Sequence, residues 1–511
     1  MNDAKRKFDS LIASLLELRQ QAVLLEREFA EQLAAIPPAY RPSGANLVHY
    51  LSIRQHDIRE LQFELHTLGL SSLGRMEAYV LPTIDAVLLA LCKLADRPVP
   101  SVDPPPRPEG FRAGRAQLVN NTVALFGSQR SDREPRIMVT APSESADQYD
   151  LIHQLVVAGM DVLRINCSQD NPQRWGQMIE HLRRAEKETG SRCKVQMDLE
   201  GPNPRTGEVG GKGKFSVRLG DQLVLTRGNL AGGPAVRDAH ENIIEPAHVG
   251  CTLPEVFRDV RPGERFFYDD GNLAGIVREV DQDRAVLEVT HTRKEVAKIK
   301  SGKGVNFPDT HFGLPALTSK DRQDLDFVAR NADLIGFSFV RHADDVNDLL
   351  AELKLRQAED RSIILKIETQ LAFQNLPEML LTAMRHPPVG VMVARGDMGV
   401  EIGFNRMSEV QEEILWLCEA AHVPVVWATQ VLENLAKTGL PTRAEVTDAA
   451  MSGRAECVML NKGKHIVETV QFLSDVLQRM QQHQHKKLAT LRKLSISNVH
   501  ALHEHPLQDW L

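Results

Sequence analysis

At 511 residues the chain can hold several domains, or one large barrel with additions, and its 42% apolar content allows a sizeable core. Its 61 basic and 68 acidic residues leave a net charge of −7, which argues against a general nucleic-acid binder. Six scattered cysteines without a CxxC pair exclude a disulfide frame or zinc site; a polar N-terminus and short apolar runs exclude signal-peptide and membrane-spanning readings and fit a cytoplasmic protein.

Residues 1–95 read as a helical extension. Phe8, Leu11, Ile12, Leu15 and Leu16 keep helical spacing in a run that Pro37-Pro38 stops. A second helix is expected over Asn46–Leu68 and a third over Leu73–Leu94, kinked at Pro82. Gly69-Leu-Ser-Ser-Leu-Gly74-Arg between them reads as a helix junction rather than a DNA-binding turn. Prolines 98, 100, 104, 105, 106 and 108 make 96–111 a stiff linker, and a helix around Arg112–Phe126 follows.

From Arg136 the pattern turns to alternating strands and helices. Strands are expected at Ile137–Thr140, Val162–Asn166, Lys194–Asp198, Leu334–Val340, Ile363–Glu368, Val389–Ala394, Val423–Thr429 and Cys457–Asn461. Helical stretches follow most of them. Eight such units in sequence predict a (β/α)8 barrel, split as 112–207 and 306–482. The rival, an open doubly wound sheet, lacks its Gly-x-Gly-x-x-Gly turn. Residues 208–305 alternate in short runs between Gly, Pro and Asp turns, the pattern of an inserted β domain able to act as a lid. The remaining 483–511 form a polar, His-containing tail.

The most informative residues end the fifth and sixth strands. Ile363-Ile-Leu-Lys-Ile-Glu368 and Val391-Met-Val-Ala-Arg-Gly-Asp397 each close on an acid, placing Glu368 and Asp397 on one edge beside Lys366 and Arg395. Two hard carboxylates without thiolates or paired histidines suit Mg²⁺ or Mn²⁺, and the lysine suits a phosphate. One acid at a strand end would simply meet water; the pair with its lysine favours a site. Arg164 and Asp198 also read as a buried ion pair between adjacent strands.

In order around the barrel, Ala158-Gly-Met-Asp-Val-Leu-Arg164-Ile-Asn166, Gly304-Val-Asn-Phe-Pro308, Met392-Val-Ala-Arg-Gly-Asp397 and Pro441-Thr-Arg-Ala-Glu445 resemble the pyruvate kinase family. The likeness spans about Arg136 to Met480. It implies phosphoryl transfer from phosphoenolpyruvate to ADP, with Glu368 and Asp397 holding Mg²⁺ and Lys366 and Arg164 at the transferring group. It further implies Gly396, Asp397 and Thr429 at the substrate, with Thr429 aiding protonation of the enolpyruvate carbon. Arg205 and Lys303 match nucleotide-phosphate ligands, and Asn166, Ser168, Asp198 and the Leu199 carbonyl match a K⁺ site. A homo-oligomer without nucleic-acid or membrane partners is the associated expectation. The chain ends soon after the last barrel helix, which implies that the family's C-terminal regulatory domain is missing.

Departures cluster on the acceptor side. Gln169-Asp170, Glu200, Asn203 and Asn461-Lys-Gly-Lys464 stand where the family has His-Gly, a lysine, an acid and Ser-Gly-Glu-Thr. Two alternatives stay open: a phosphotransferase with another nucleotide or acceptor, and a non-catalytic barrel scaffold.

Overall fold

The computed structural model describes residues 2–107, 110–130, 133–211, 213–228, 230–240, 243–486 and 488–489. Eight parallel strands close into a barrel: β1 Arg136–Thr140, β2 Val162–Asn166, β3 Lys194–Asp198, β4 Leu334–Phe337, β5 Ser362–Ile367, β6 Val389–Ala394, β7 Val425–Ala428 and β8 Cys457–Leu460. Each pairs with its sequence neighbours, and β1 with β8. Nearly every strand residue is buried, because one face meets the helices and the other fills the barrel.

Period two decides which is which. Met138, Val162, Leu334, Ile364, Met392, Val426, Cys457 and Met459 form the inner cluster, and Leu125 and Phe126 join it from the end of helix Phe111–Phe126. That helix therefore plugs the barrel. Gly390 makes room for the plug: an added Cβ would lie 2.6 Å from Leu125 Cδ2. Apolar filling ends one layer below the strands' C-terminal edge, where Arg164, Asp198 and Lys366 continue the same strands.

The insertion folds as expected around Gln222–Arg227, Arg265–Tyr268, Leu273–Val280 and Arg284–Thr292, the centre of a six-stranded sheet with its own core of Leu225, Val249, Phe266, Val277 and Leu287. Strands Ala247–Cys251, Val296–Lys300 and Val305–Asn306 were not legible in the sequence.

The extension differs from expectation in its breaks. The predicted Asn46–Leu68 helix is two helices, Arg41–Arg54 and Arg59–Thr67. Asp57 Oδ1 accepts from Arg59 N between them, a local bond that competes with continuous helix. The third helix starts at Val80, so Pro82 falls in its first turn, where no intrahelical donor is lost, and causes no kink. The first run is Asn2–Glu28 followed by Ala30–Ala34. The bundle is docked on the barrel: Asn46 Nδ2 donates to Glu77 O at 2.7 Å and to Ala420 O at 2.8 Å. His422 Nε2 lies 2.8 Å from Ala78 O, and its Nδ1 lies 2.8 Å from Ser43 Oγ. Of the tail's histidines, His500, His503 and His505 lie outside the described residues.

Candidate active site at the barrel mouth

Inward-facing positions at the ends of β2, β3 and β5 bring three charges together. Arg164 Nη2 lies 2.8 Å from Asp198 Oδ2, making the ion pair read from the sequence, and Arg164 Nη1 donates to Thr140 Oγ1 at 3.0 Å. Lys366 Nζ lies 3.6 Å from the same Asp198 oxygen, 2.9 Å from Glu368 Oε1 and 2.6 Å from Ser338 Oγ. Ser338 Oγ donates in turn to Leu199 O at 2.6 Å. Gln196 Nε2 holds the other Asp198 oxygen at 2.7 Å. Asp198 is fully buried, and space for it exists only because residue 336 is glycine: a Cβ there would sit 2.0 Å from Asp198 Oδ1.

Burial would push the Asp198 carboxyl up, yet Arg164 and Lys366 hold it below the ordinary carboxylate value. Burial likewise disfavours the Lys366 ammonium, but Glu368 and Asp198 keep it above the usual lysine value. The cluster is thus ionised and internally paired.

Glu368 follows β5, and Phe339 N donates to its Oε2 at 2.6 Å. Asp397 lies in the first turn of helix Arg395–Ile402, an element the sequence reading did not separate from β6. Asn306 from the lid's base approaches Asp397 Oδ1 at 3.4 Å. Burial, then the charges of Glu368 and of lid residue Asp270, push the Asp397 carboxyl up to about 7. Arg164 and Lys366 are already paired with Asp198 and Glu368, so Asp397 is left without a cation of its own beside Glu368. Hard oxygen donors short of positive charge fit a divalent cation. Among the described residues no cluster of three or more His, Cys, Asp or Glu is arranged for a metal, so such an ion would draw its other ligands from water and substrate.

The monovalent-cation set fits less completely. Ser168 Oγ is buried with no hydrogen-bond partner among the described residues. Asn166 Oδ1 accepts from Ser168 N, and Asp198 is already shared by two cations and an amide.

Thr429 follows β7, and its Oγ1 accepts from Gly396 N at 3.1 Å. Arg395 departs from expectation. It turns away from the acids to Asp448, with Nη2 2.8 Å from Oδ2, and also donates to the Ala428 and Thr429 carbonyls. Its guanidinium stacks 4.9 Å from the Trp427 ring centroid, so it braces the end of β7. Arg205 and Lys303 sit together at the lid's base. Arg205 pairs with Glu200 at 3.3 Å and donates to Gly302 O, and Lys303 Nζ lies 2.7 Å from Asp269. On the far rim, Lys462 Nζ donates to Gln169 Oε1, joining two of the unusual positions. Gln196, Thr140 and Gly336 were not read as site residues. Gln196 carried a usable signal, since it shares Asp198's strand face two residues earlier.

The geometry defines a lidded (β/α)8-barrel protein with a buried, charged mouth at the C-terminal ends of its strands. The model of the pyruvate kinase barrel domain matches residues 133–470. The chain is 32% identical over 357 residues to pyruvate kinase of Geobacillus stearothermophilus, covering 68% of this chain and 57% of that protein. With pyruvate kinase of Leishmania mexicana it shares 32% identity over 372 residues, 71% of this chain and 70% of the relative. For Bacillus licheniformis pyruvate kinase the identity is 30% over 373 residues, 71% and 60%. The chain belongs to the pyruvate kinase family. It spans somewhat under two thirds of the two bacterial relatives' length.

Proposed function

We propose that this protein transfers the phosphoryl group of phosphoenolpyruvate to ADP, yielding pyruvate and ATP. The observation that carries the reading is Lys366, buried at the barrel mouth 2.9 Å from Glu368, with Asp397 close enough to feel the same carboxylate. Mg²⁺ or Mn²⁺ held by Glu368 and Asp397 would supply Lewis-acid charge for the phosphate. Lys366 and Arg164 neutralise charge on the transferring group, and their pairing with Asp198 fixes them before substrate arrives. Thr429 accepts from Gly396 and so keeps its own hydroxyl proton available to the enolpyruvate carbon. Arg205 and Lys303 meet the nucleotide phosphates from the lid, and the lid's closure over the mouth excludes water. A K⁺ ion held by Asn166, Ser168, Asp198 and the Leu199 carbonyl would complete the set, supported by the Ser168 hydroxyl, which has no partner among the described residues. Family membership also supports a cytoplasmic homo-oligomer; no described helix is long and apolar enough to cross a membrane.

The Lys462–Gln169 contact on the acceptor rim favours one second reading, transfer to a nucleotide other than ADP. Pyruvate release from phosphoenolpyruvate, measured with Mg²⁺ across a panel of nucleoside diphosphates, with and without K⁺, separates the two. The main reading expects ADP to be the best acceptor. Release with another diphosphate alone would transfer the assignment to the second, and no release with any would remove both.

A further inference from the structure

Between the lid's base and the barrel rim lies a cavity of about 250 Å³ that phosphoryl transfer leaves unused. One wall is segment 305–312, which joins lid to barrel; the other comes from Phe339, Arg341, residues 369–371, Gln374 and Glu401. Phe307, Phe312 and Phe339 give it aromatic surface, the first two edge to face with centroids 6.2 Å apart.

Its polar lining holds two carboxylates, Asp309 and Glu401, that differ in their pairing. Asp309 is neutralised by Arg265, whose Nη2 lies 2.6 Å away. Arg341 Nη1 and Nη2 donate to the carbonyls of Phe312 and Leu314, its charge is answered by Asp345 outside the lining, its Nε is buried with no partner among the described residues, and His311 is exposed. Asn203 Oδ1 is buried with no partner among the described residues. Glu401 makes no salt bridge among the described residues; the Gln370 backbone N–H is its hydrogen-bond partner. A half-buried carboxylate with no salt bridge among the described residues, in a cavity that aromatic rings also line, suits an organic cation.

We propose that this cavity binds a small primary ammonium carrying an apolar body, with Glu401 as counter-ion and the three phenylalanines as walls. The volume limits the ligand to fragment size. Burial raises the Glu401 carboxyl to about 7, so an incoming ammonium would also relieve the cost of ionising it. The ligand touches both walls at once. One wall carries Asn306, which reaches Asp397; the other carries Phe339, whose N–H holds Glu368. Occupancy therefore favours the arrangement in which lid and metal-binding acids are joined, the differential contact an effector requires.

Calorimetric titration of the full chain at pH 8 with benzylamine, benzyl alcohol and benzoate tests this without relying on turnover, so it stands apart from the assigned reaction. Benzylamine is expected to bind about tenfold or more tightly than benzyl alcohol, and benzoate not at all. Hydrogen exchange should slow in 305–312 and 369–374 on adding benzylamine. In Glu401→Gln, benzylamine should lose about tenfold in affinity while benzyl alcohol is unchanged. Equal binding of amine and alcohol to the unmodified chain, or protection confined to other segments, would overturn the proposal.

Discussion

Two sides of the barrel mouth use charge in opposite ways. Across β2 to β5, Arg164, Asp198, Lys366 and Glu368 form one buried network in which every charge has an opposite within 3.6 Å. Across β8 and the loop after β2, Lys462 and Gln169 meet as exposed side chains, and Asp170 is held by Arg174 at 3.2 Å and Ser143 at 2.8 Å. The same kinds of atoms are involved, but the dielectric differs. A desolvated pair cannot lose one partner cheaply, because the other is left uncompensated, whereas an exposed pair is replaced by water. At Gln169, Asp170 and Lys462 a change of residue costs little, and the buried side keeps its charges.

The largest effect expected from this contrast is at Lys366. Lys366→Met removes the cation shared by Asp198 and Glu368 and, in the proposed reaction, by the transferring group. Steady-state kcat for pyruvate release should fall by about 10²–10³-fold. Urea unfolding should move down by about 3 kcal/mol, because two buried acids lose their counter-ion. Unchanged stability would mean that water reaches this cluster and that the two sides are alike.

Gly336→Ala probes the buried side without touching a charge. The new methyl would meet Asp198 Oδ1 at 2.0 Å, and the neighbours on either strand are fixed by the barrel ladder. Overpacking of this kind costs about 3 kcal/mol, read as a shift in urea midpoint. Pyruvate release should drop with it, since Asp198 positions Arg164 and Lys366. A variant of normal stability would show that Asp198 has another place to go.

How far this network was legible depends on chain distance. Most strands were readable because they are short apolar runs rich in β-branched residues, and their last residues pointed to Arg164, Asp198, Lys366 and Glu368. Helix Arg395–Ile402 was hidden because Gly396 and Gly399 break any apolar stripe, and Asp397 therefore passed for a strand end. The partners of Asp397 were hidden for a different reason. Asn306 and Asp270 belong to the inserted domain, and only its folding back over the mouth brings them near. Leu125 and Phe126 read as the apolar end of an ordinary helix; that they plug the barrel is a tertiary fact. Arg395 illustrates the limit from the other side, since its place next to Asp397 in sequence suggested a shared role, while Asp448 and Trp427 claim its side chain.

The pH response of stability separates a third, half-way case. Glu401 is half-buried in the lid–barrel cavity, and its carboxyl rises from 4.5 to about 7. The folded protein therefore holds a proton that the unfolded chain releases. This contribution is full below about pH 4.5, is lost as pH climbs to 7, and is flat above. Urea titrations of Glu401→Gln and the unmodified protein should diverge over that window. The variant should gain up to about 3 kcal/mol by pH 8 relative to its advantage at pH 4.5. A constant gap across the window would place Glu401 in water, on the inexpensive side of the comparison.

The smallest effect should come from the rim itself. Lys462→Ala removes an exposed ammonium whose named partner is the neutral amide of Gln169, so stability should move by no more than about 0.5 kcal/mol. Its influence should be on the acceptor. If the nucleotide's phosphates approach between β8 and β2, losing one positive charge raises KM for the diphosphate a few-fold, leaves KM for phosphoenolpyruvate unchanged, and weakens further as salt is added. A change in kcat equal to that in kcat/KM would instead place Lys462 at the transition state. The rim would then belong with the buried cluster in function even though it differs from it in burial.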